Sequence, residues 1–392
     1  MEQPETIRPE RLKTKIFSTI RDVPRQEWNN LVNGHSCALS YEFWDVIEHA
    51  KLNDFDYRHV IFYDDAGTPV ALTTCYSITT DIAIFATGGL KWILNGIRRL
   101  FPNFLKLRML ECGTPITPNT LPFISDGKIP PKDIVESLND LLMTKAKAEG
   151  QFLIVIRDFE PEAEPLRPDF ERLGYHWVDS LPNTYMDIRW ASPEDYLSSM
   201  KSYYRSKLLK HLSRSKEQQI GHVLIDDFQD LAETLQAQWQ VVHDHAGEYQ
   251  REVLTAAFYR EFSSLMGARS RVILFYQQDR LIGHALLLMD GDMLRWLFFG
   301  RTEAANDSLY IYAGHKVVET AILSGAKRLE LGLTSYPIKQ DLGAQTIPVK
   351  FALRSPYRLV NPVIGLFYPL LNDTPDIHNR AIFKKGPGSD SD

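Results

Sequence analysis

The sequence predicts a mixed α/β protein made of two copies of one unit, each an antiparallel meander followed by a crossover helix and strand. Three observations carry this prediction. Two β-rich stretches, 59–87 and 271–299, each divide into three short strands separated by turns rich in Asp, Gly or Gln. Each is followed by a helical run that stops at a glycine, Gly150 or Gly325, with a short apolar strand directly after it. The length of 392 residues matches roughly two or three ordinary domains.

In the first copy the expected elements are a strand over 59–63, a turn at Asp64-Asp65-Ala66-Gly67, and strands over 69–77 and 82–87. A helix over 132–149, Gly150 and a strand over 152–156 complete it. The second copy has strands over 271–276, 281–289 and 293–299, then a helix over 309–324, Gly325 and a strand over 328–332. Val60 and Val272 are 212 positions apart, whereas Gly150 and Gly325 are 175 apart, so the first copy carries 37 additional residues between meander and helix. That insertion holds the basic amphipathic run 92–107 and a loop over 113–122.

The boundary falls near residue 190. Ser192 is suited to an N-cap, Pro193 to the first helical position and Asp195 to the acid of a capping box. The helix they open is expected to run past Tyr204 to about Gln219, with further helices over 229–243 and 252–265 before the second meander. The predicted domains are therefore 1–190 and 191–385, with a flexible tail over 386–392.

Composition narrows the function. Forty-four Lys and Arg against 50 Asp and Glu give a net charge of −6, and 44% of residues are hydrophobic. Wholesale disorder and a general nucleic-acid coat are both excluded, so DNA is not an expected partner. Cys37, Cys75 and Cys112 are widely spaced with no CxxC, which supports neither a disulfide framework nor a metal site. The polar N-terminus and the lack of a long apolar run predict a cytoplasmic protein. Contact with a membrane is expected to be peripheral at most, through Arg98, Arg99 and Lys106 among Ile93, Leu94, Ile97 and Leu100.

Several stretches carry a family likeness. Tyr204-Arg205 opens a basic helix, and Gly300 leads through Ser308-Leu309-Tyr310 to Ala326. Leu329-Glu330-Leu331-Gly332 and Lys339-Gln340-Asp341-Leu342-Gly343-Ala344 follow. The layout resembles the GNAT acyltransferase superfamily in its tandem form, as in BioF2-like and Fem-type N-acyltransferases. The resemblance implies transfer of an acyl group from a carrier thioester or ester to an amine. Acyl-CoA or an acylated phosphopantetheine carrier protein would be the co-substrate, with no tightly bound cofactor. Phe298, Phe299 and Gly300 match the strand beside the pantetheine, and Asn306, Asp307, Ser308 and Leu309 match the helix start that takes the phosphates. The usual phosphate loop, Gln/Arg-x-x-Gly-x-Gly/Ala, is absent, and Glu303 and Asp307 bring negative charge to its place. Acyl carrier protein and aminoacyl-tRNA, the donor of the Fem branch with its peptidoglycan-type acceptor, therefore stand as alternative donors. A non-catalytic pair that binds an anionic partner is the third reading.

Glu330, set between Leu329 and Leu331, is the candidate to orient or deprotonate the amine, and Tyr310 in the first turn of its helix is the second catalytic candidate. Tyr312 faces another way. Lys339 and Lys350 flank the 342–344 turn, where they could hold a carboxylate or phosphate, although unaided both are expected at the surface. The helix 201–216 carries Lys201, Arg205, Lys207, Lys210, Arg214 and Lys216, with Lys207, Lys210 and Arg214 in one stripe for an anion or partner. His243 and His245 suit a helix C-terminus, and His284 a satisfied place in the core. With no histidine near Cys75 or Cys112, transfer is expected to be direct. The second half would be catalytic, and the first would shape the site for an amine-bearing small molecule or precursor.

Overall fold

The computed structural model describes residues 12–52, 55–81, 92, 96–101, 106–117, 123–245, 252–303, 307–371 and 377–384. In chain order the first half contributes β1 (Lys13–Phe17), α1 (Arg25–Val32), α2 (Tyr41–His49), β2 (Asp56–Tyr63), β3 (Pro69–Asp81), β4 (Lys106–Cys112) and a short β5 (Ile124–Ser125). Then come α3 (Pro131–Ala148), β6 (Leu153–Phe159), α4 (Arg167–Arg172), β7 (His176–Asp179) and β8 (Asn183–Asp187). The second half contributes α5 (Pro193–Ser199), α6 (Ser202–Glu217), β9 (Ile220–Ile225), α7 (Ala232–His245), α8 (Ala256–Met266), β10 (Ser270–Gln277), β11 (Arg280–Asp290) and β12 (Met293–Arg301). It ends with α9 (Asp307–Leu323), β13 (Arg328–Glu330), α10 (Tyr336–Leu342), β14 (Gln345–Ile347), β15 (Lys350–Arg354) and α11 (Asn361–Leu371).

The repeat is visible in the sheets. One has the order β1-β2-β3-β4-β6-β15-β7, with β5 paired to β3 off this path, and the other β9-β10-β11-β12-β13-β8-β14. In each, four antiparallel strands lead through a crossover helix, α3 or α9, to a parallel fifth. The two helices end alike. Gly150 and Gly325 sit at φ 65° and 71°, and the next residue's N–H reaches back to the carbonyl five positions earlier, Gln151 to Ala146 at 2.8 Å and Ala326 to Ala321 at 3.0 Å. This is the left-handed glycine cap that the sequence signals locally.

The sixth position is exchanged. β15, from the second half, pairs with β6 and β7, while β8, from the first half, pairs with β13 and β14. A cut at residue 190 therefore does not separate the two sheets. Nor are the cores separate, since one apolar cluster takes Trp28, Phe43, Trp44, Ile61 and Leu72 from the first half and Trp239, Phe258, Phe262, Leu274 and Leu286 from the second.

Two expected elements differ. The strand that completes the first meander is β4, paired with β3 from Cys75 opposite Cys112 to Asp81 opposite Lys106; the stretch 82–87 lies outside the described residues, as do 93–95 and 102–105 of the run 92–107. The long helix from Pro193 is broken into α5 and α6 at Met200. That residue is extended (φ −69°, ψ 145°) and fully buried, and it bridges to Phe383, so core burial outweighs helix continuity there.

The exchange predicts that residues 1–190 do not fold alone, because β7 would lose the strand it pairs with and β6 one of its two. Co-expression with 191–392 should restore native dispersion in two-dimensional NMR; a well-dispersed spectrum of the isolated piece would refute this.

Candidate active site

β12 and β13 run parallel only as far as Arg295 beside Glu330. β12 then continues to Arg301, while the other chain turns off through Gly332 (φ 73°), Thr334 (φ 62°) and Ser335 (φ 50°). Two consecutive non-glycine residues in the left-handed region mark a strained backbone beside a gap in the sheet. On the α9 side of the gap Tyr310 stacks on Trp296, with ring centroids 5.2 Å apart, and meets Phe299 edge-on at 5.2 Å. Burial pushes its phenol up to about 12, against a hydrogen bond with Ser335 that works in the other direction. Tyr312 faces elsewhere, onto Phe275 and His222.

Lys339 is not at the surface. It is buried, and its Nζ donates to the carbonyls of Gly332 at 2.9 Å and Leu333 at 2.5 Å. Burial pulls its ammonium down to about 7, with Glu330 acting in the opposite direction. The strained turn supplies the reason: it aims two carbonyls inward, and a lysine stem can satisfy both. Lys350 belongs to the other sheet, where it pairs with Asp179 at 2.6 Å, so the two lysines do not form one anion site.

The remaining donor-side residues divide by face. Phe298 points to the inter-sheet core and meets Phe258 at 6.0 Å, whereas Phe299 lies among the residues under α9. A Cβ on Gly300 would stand 2.8 Å from the Trp239 amide nitrogen and closer still to His284, so packing demands this glycine. His284 is buried and satisfied by Gln238 at 2.9 Å and Tyr259 at 3.0 Å, and burial drops its pKa to about 3. Leu309 is buried, Ser308 opens α9 half-exposed, and Asn306 lies outside the described residues.

Glu330 faces away from Leu329 and Leu331, as the strand alternation requires, but into a buried seam between the sheets. Arg295 donates to Glu330 through one guanidinium nitrogen and to Asp290 at 2.8 Å through Nε. Asp290 also accepts from Ser36 Oγ and from the Cys37 amide, both at 2.6 Å. On the other side Asn183 gives one amide proton to Glu330 and one to the Tyr185 hydroxyl, each at 2.8 Å, and Tyr185 donates to Glu160. Burial, reinforced by Glu330, raises Glu160 above the usual carboxylate range, outweighing Tyr185 and Arg328. Three residues back, Arg157 on β6 donates to the Tyr76 hydroxyl at 3.2 Å, and Tyr76 donates to Glu111 at 2.9 Å. Tyr310 and Glu330 thus lie on opposite faces of one sheet, joined by the gap between β12 and β13.

Arg295, Glu160, Tyr185, Asn183, Arg157 and Glu111 were not singled out by sequence reasoning. A charge in the middle of an apolar strand, Arg295 between Leu294 and Trp296, was the usable signal for one of them. The others depend on pairings between distant segments.

The basic helix α6 packs beside α9, with Leu208 and Ser215 inward. Lys207, Lys210 and Arg214 are exposed, and Lys207 pairs with Asp341 at 2.5 Å. Arg205 is half-buried. His211 is held below its usual pKa by burial and then by Lys207, Arg214 and Lys210, which registers the positive field of this face.

Arg295→Met should cost about 3–5 kcal/mol in urea unfolding, because it leaves two carboxylates buried without their cation. Lys339 binds its proton less tightly folded than unfolded, so stability should rise with pH between about 7 and the ordinary lysine range. Lys339→Met should flatten that slope; an unchanged slope would show that the lysine does not titrate as described.

Residues 19–335 match the FemAB-like family, described as peptidoglycan biosynthesis/recognition. The 8-amino-7-oxononanoate synthase 2 proteins named in two strains of Mycobacterium tuberculosis are 29% identical over 329 residues, covering 81% of this chain and 42% of theirs, so the chain spans less than half of those relatives. Among solved structures, FemX aligns over 90% of this chain and 99% of its own with a TM-score of 0.53 at 13% identity. The C-terminal domain of a lysylphosphatidylglycerol synthetase from Agrobacterium fabrum aligns over 88% and 95% with 0.51 at 10%. No helix among the described residues is long and apolar enough to cross a membrane. The chain belongs to the FemAB-like family and shares its fold with FemX.

Proposed function

We propose that the protein is an N-acyltransferase in which an amine attacks the carrier-bound carbonyl directly, at the gap between β12 and β13. The observation that supports this reading is a buried, hard-to-ionise carboxylate, Glu160, linked through Tyr185 and Asn183 to Glu330, where β12 and β13 part. The donor reaches the gap from the α9 side, past Tyr310, and the acceptor from the first half. The amine nitrogen bonds to the carbonyl carbon and passes a proton to Glu160. The carbon–sulfur bond breaks, and Tyr310, which burial keeps protonated, returns a proton to the leaving thiolate. Glu330, locked by Arg295 and Asn183, positions this chain. The residues of β12 beyond Arg295 have left their parallel partner, and their backbone groups suit an extended pantetheine arm. All three cysteines are buried, and burial raises Cys37 and Cys112 to about 12, which supports transfer without a thioester enzyme intermediate.

A second reading, with aminoacyl-tRNA as donor and a peptidoglycan-type precursor as acceptor, is favoured by the exposed cations of α6 and by the family description. The carbon–oxygen ester bond would then break instead. Thermal shift with acyl-CoA, an acylated carrier protein and aminoacyl-tRNA separates the donors, and stabilisation by none of them would favour a binding module.

Glu160→Gln should lower transfer by about 10²-fold or more while the protein stays folded. The wild-type rate should climb with pH through the raised carboxylate pKa, because only the ionised form accepts the proton. If Glu160→Gln and Tyr310→Phe both left transfer unchanged, the assignment would fail. Glu330→Gln tests positioning, and its effect should fall on kcat more than on KM.

A further inference from the structure

We propose that the cleft at the open end of β8 is a binding site for a small organic anion, a phosphate or carboxylate carried on an apolar body. β14 pairs with β8 only from Asn183 to Tyr185. Its chain enters the sheet from Gly343 (φ 110°), against which Phe383 packs so closely that a Cβ there would collide with its ring. The end of β8 therefore borders a cleft instead of a neighbouring strand. Tyr185, Asp187, Arg189, Arg328, Gln345 and Phe383 line it, and it holds about 410 Å³ with its open mouth included. Arg328 precedes Glu330 on β13 by two residues, about 7 Å, and the gap between β12 and β13 opens on the far side of Glu330, so the cleft is a separate site.

Two arginines stand in the cleft with their charge unspent. The Arg328 guanidinium lies 3.9 Å from the centroid of the Tyr185 ring, and that of Arg189 lies 5.5 Å from Trp190 and 5.4 Å from Phe383. Stacking holds a guanidinium in place while leaving its N–H donors unused. Nε of Arg328 is buried with no hydrogen-bond partner, and neither arginine has a carboxylate within 4.0 Å among the described residues. Arg58, Arg157, Arg172 and Arg295, by contrast, are each paired. Asp187 stands opposite Arg328 in the ladder, yet the guanidinium goes to the Tyr185 ring instead. One carboxylate against two guanidinium groups leaves the cleft positive in a chain of net charge −6. A guanidinium presents paired N–H groups to two oxygens of a phosphate or carboxylate, the Gln345 amide adds a donor, and the rings of Tyr185 and Phe383 suit an apolar body.

The site is coupled to the seam. The ring on which Arg328 stacks carries the hydroxyl that donates to Glu160. Glu160 is faced by Tyr185, Glu330 and Arg328 and by Glu162 of its own segment, and Arg328 is the cation among them that favours its ionised form. An anion on Arg328 withdraws that help. A filled cleft therefore holds Glu160 more firmly protonated and slows the transfer proposed above, a consequence that rests on that reading.

The test is isothermal titration calorimetry of the full chain with phenyl phosphate, benzoate and the neutral analogue phenol. At least one of the two anions should bind saturably, and phenol should not. Affinity should fall about tenfold or more in Arg328→Gln and in Arg189→Gln, rise in Asp187→Asn, and stay as wild type in Lys132→Gln, a control cation exposed elsewhere. The better-bound anion assigns the site to phosphates or to carboxylates. Arg189 is exposed, so its substitution leaves the fold intact whatever becomes of Arg328→Gln, and thermal melts check both. No saturable binding of either anion would overturn the proposal, as would binding indifferent to both arginines. In a transfer assay at neutral pH the bound anion should slow the wild type and spare Arg189→Gln; an unchanged wild-type rate with the site filled would overturn the link to Glu160. Binding is read without donor or acceptor, so failure of the transfer reading and failure of this one are distinguishable.

Discussion

The guanidinium of Arg295 is the interaction on which the rest depends. It is buried between Asp290 and Glu330, and through Asp290 it fixes Ser36 and the Cys37 amide of the first half against the second sheet. A charge taken out of water is tolerated only with its full set of partners, so each carboxylate commits the cation and the cation commits both carboxylates. The consequence is geometric: Glu330 has a fixed direction, Asn183 a fixed donor pattern, and Glu160 a buried place at the end of the chain.

The same network explains why β12 and β13 part where they do. Their last paired residues are Arg295 and Glu330, held side by side by their own ion pair. Beyond them, the left-handed residues Thr334 and Ser335 carry one chain away, and Lys339 fills the space behind by capping the carbonyls this exposes. Strain on one side and a buried cation on the other hold open a gap that strand pairing alone would close.

Much of the fold was legible because its signals are local. Strand, turn and glycine cap each need only a few neighbouring residues, and Gly150 and Gly325 ended their helices as their positions foretold. What was hidden is non-local. β8 and β15 are ordinary short strands in sequence, and nothing in 183–187 or 350–354 tells which sheet will take them. Lys339 was expected in solvent because lysines usually are, and only the inward carbonyls of a strained turn reverse that expectation. Glu330 was singled out by its alternation with leucines, but its partner Arg295 comes from another strand. Tyr310 and Glu330 each have a place at the gap, although on opposite sides of it.

The exchanged strands also restrict how the molecule can move. Two domains joined by a linker can hinge apart to admit a substrate and close over it. Here each sheet has a strand of the other half inside it, so such an opening would have to break β-ladder hydrogen bonds on both sides at once. In the transfer proposed above, the gap would therefore be a fixed aperture that the substrates must thread, an extended acyl carrier arm from one face and a flexible amine from the other. Turnover would then depend on side chains and loops at the rim rather than on the relative motion of the halves.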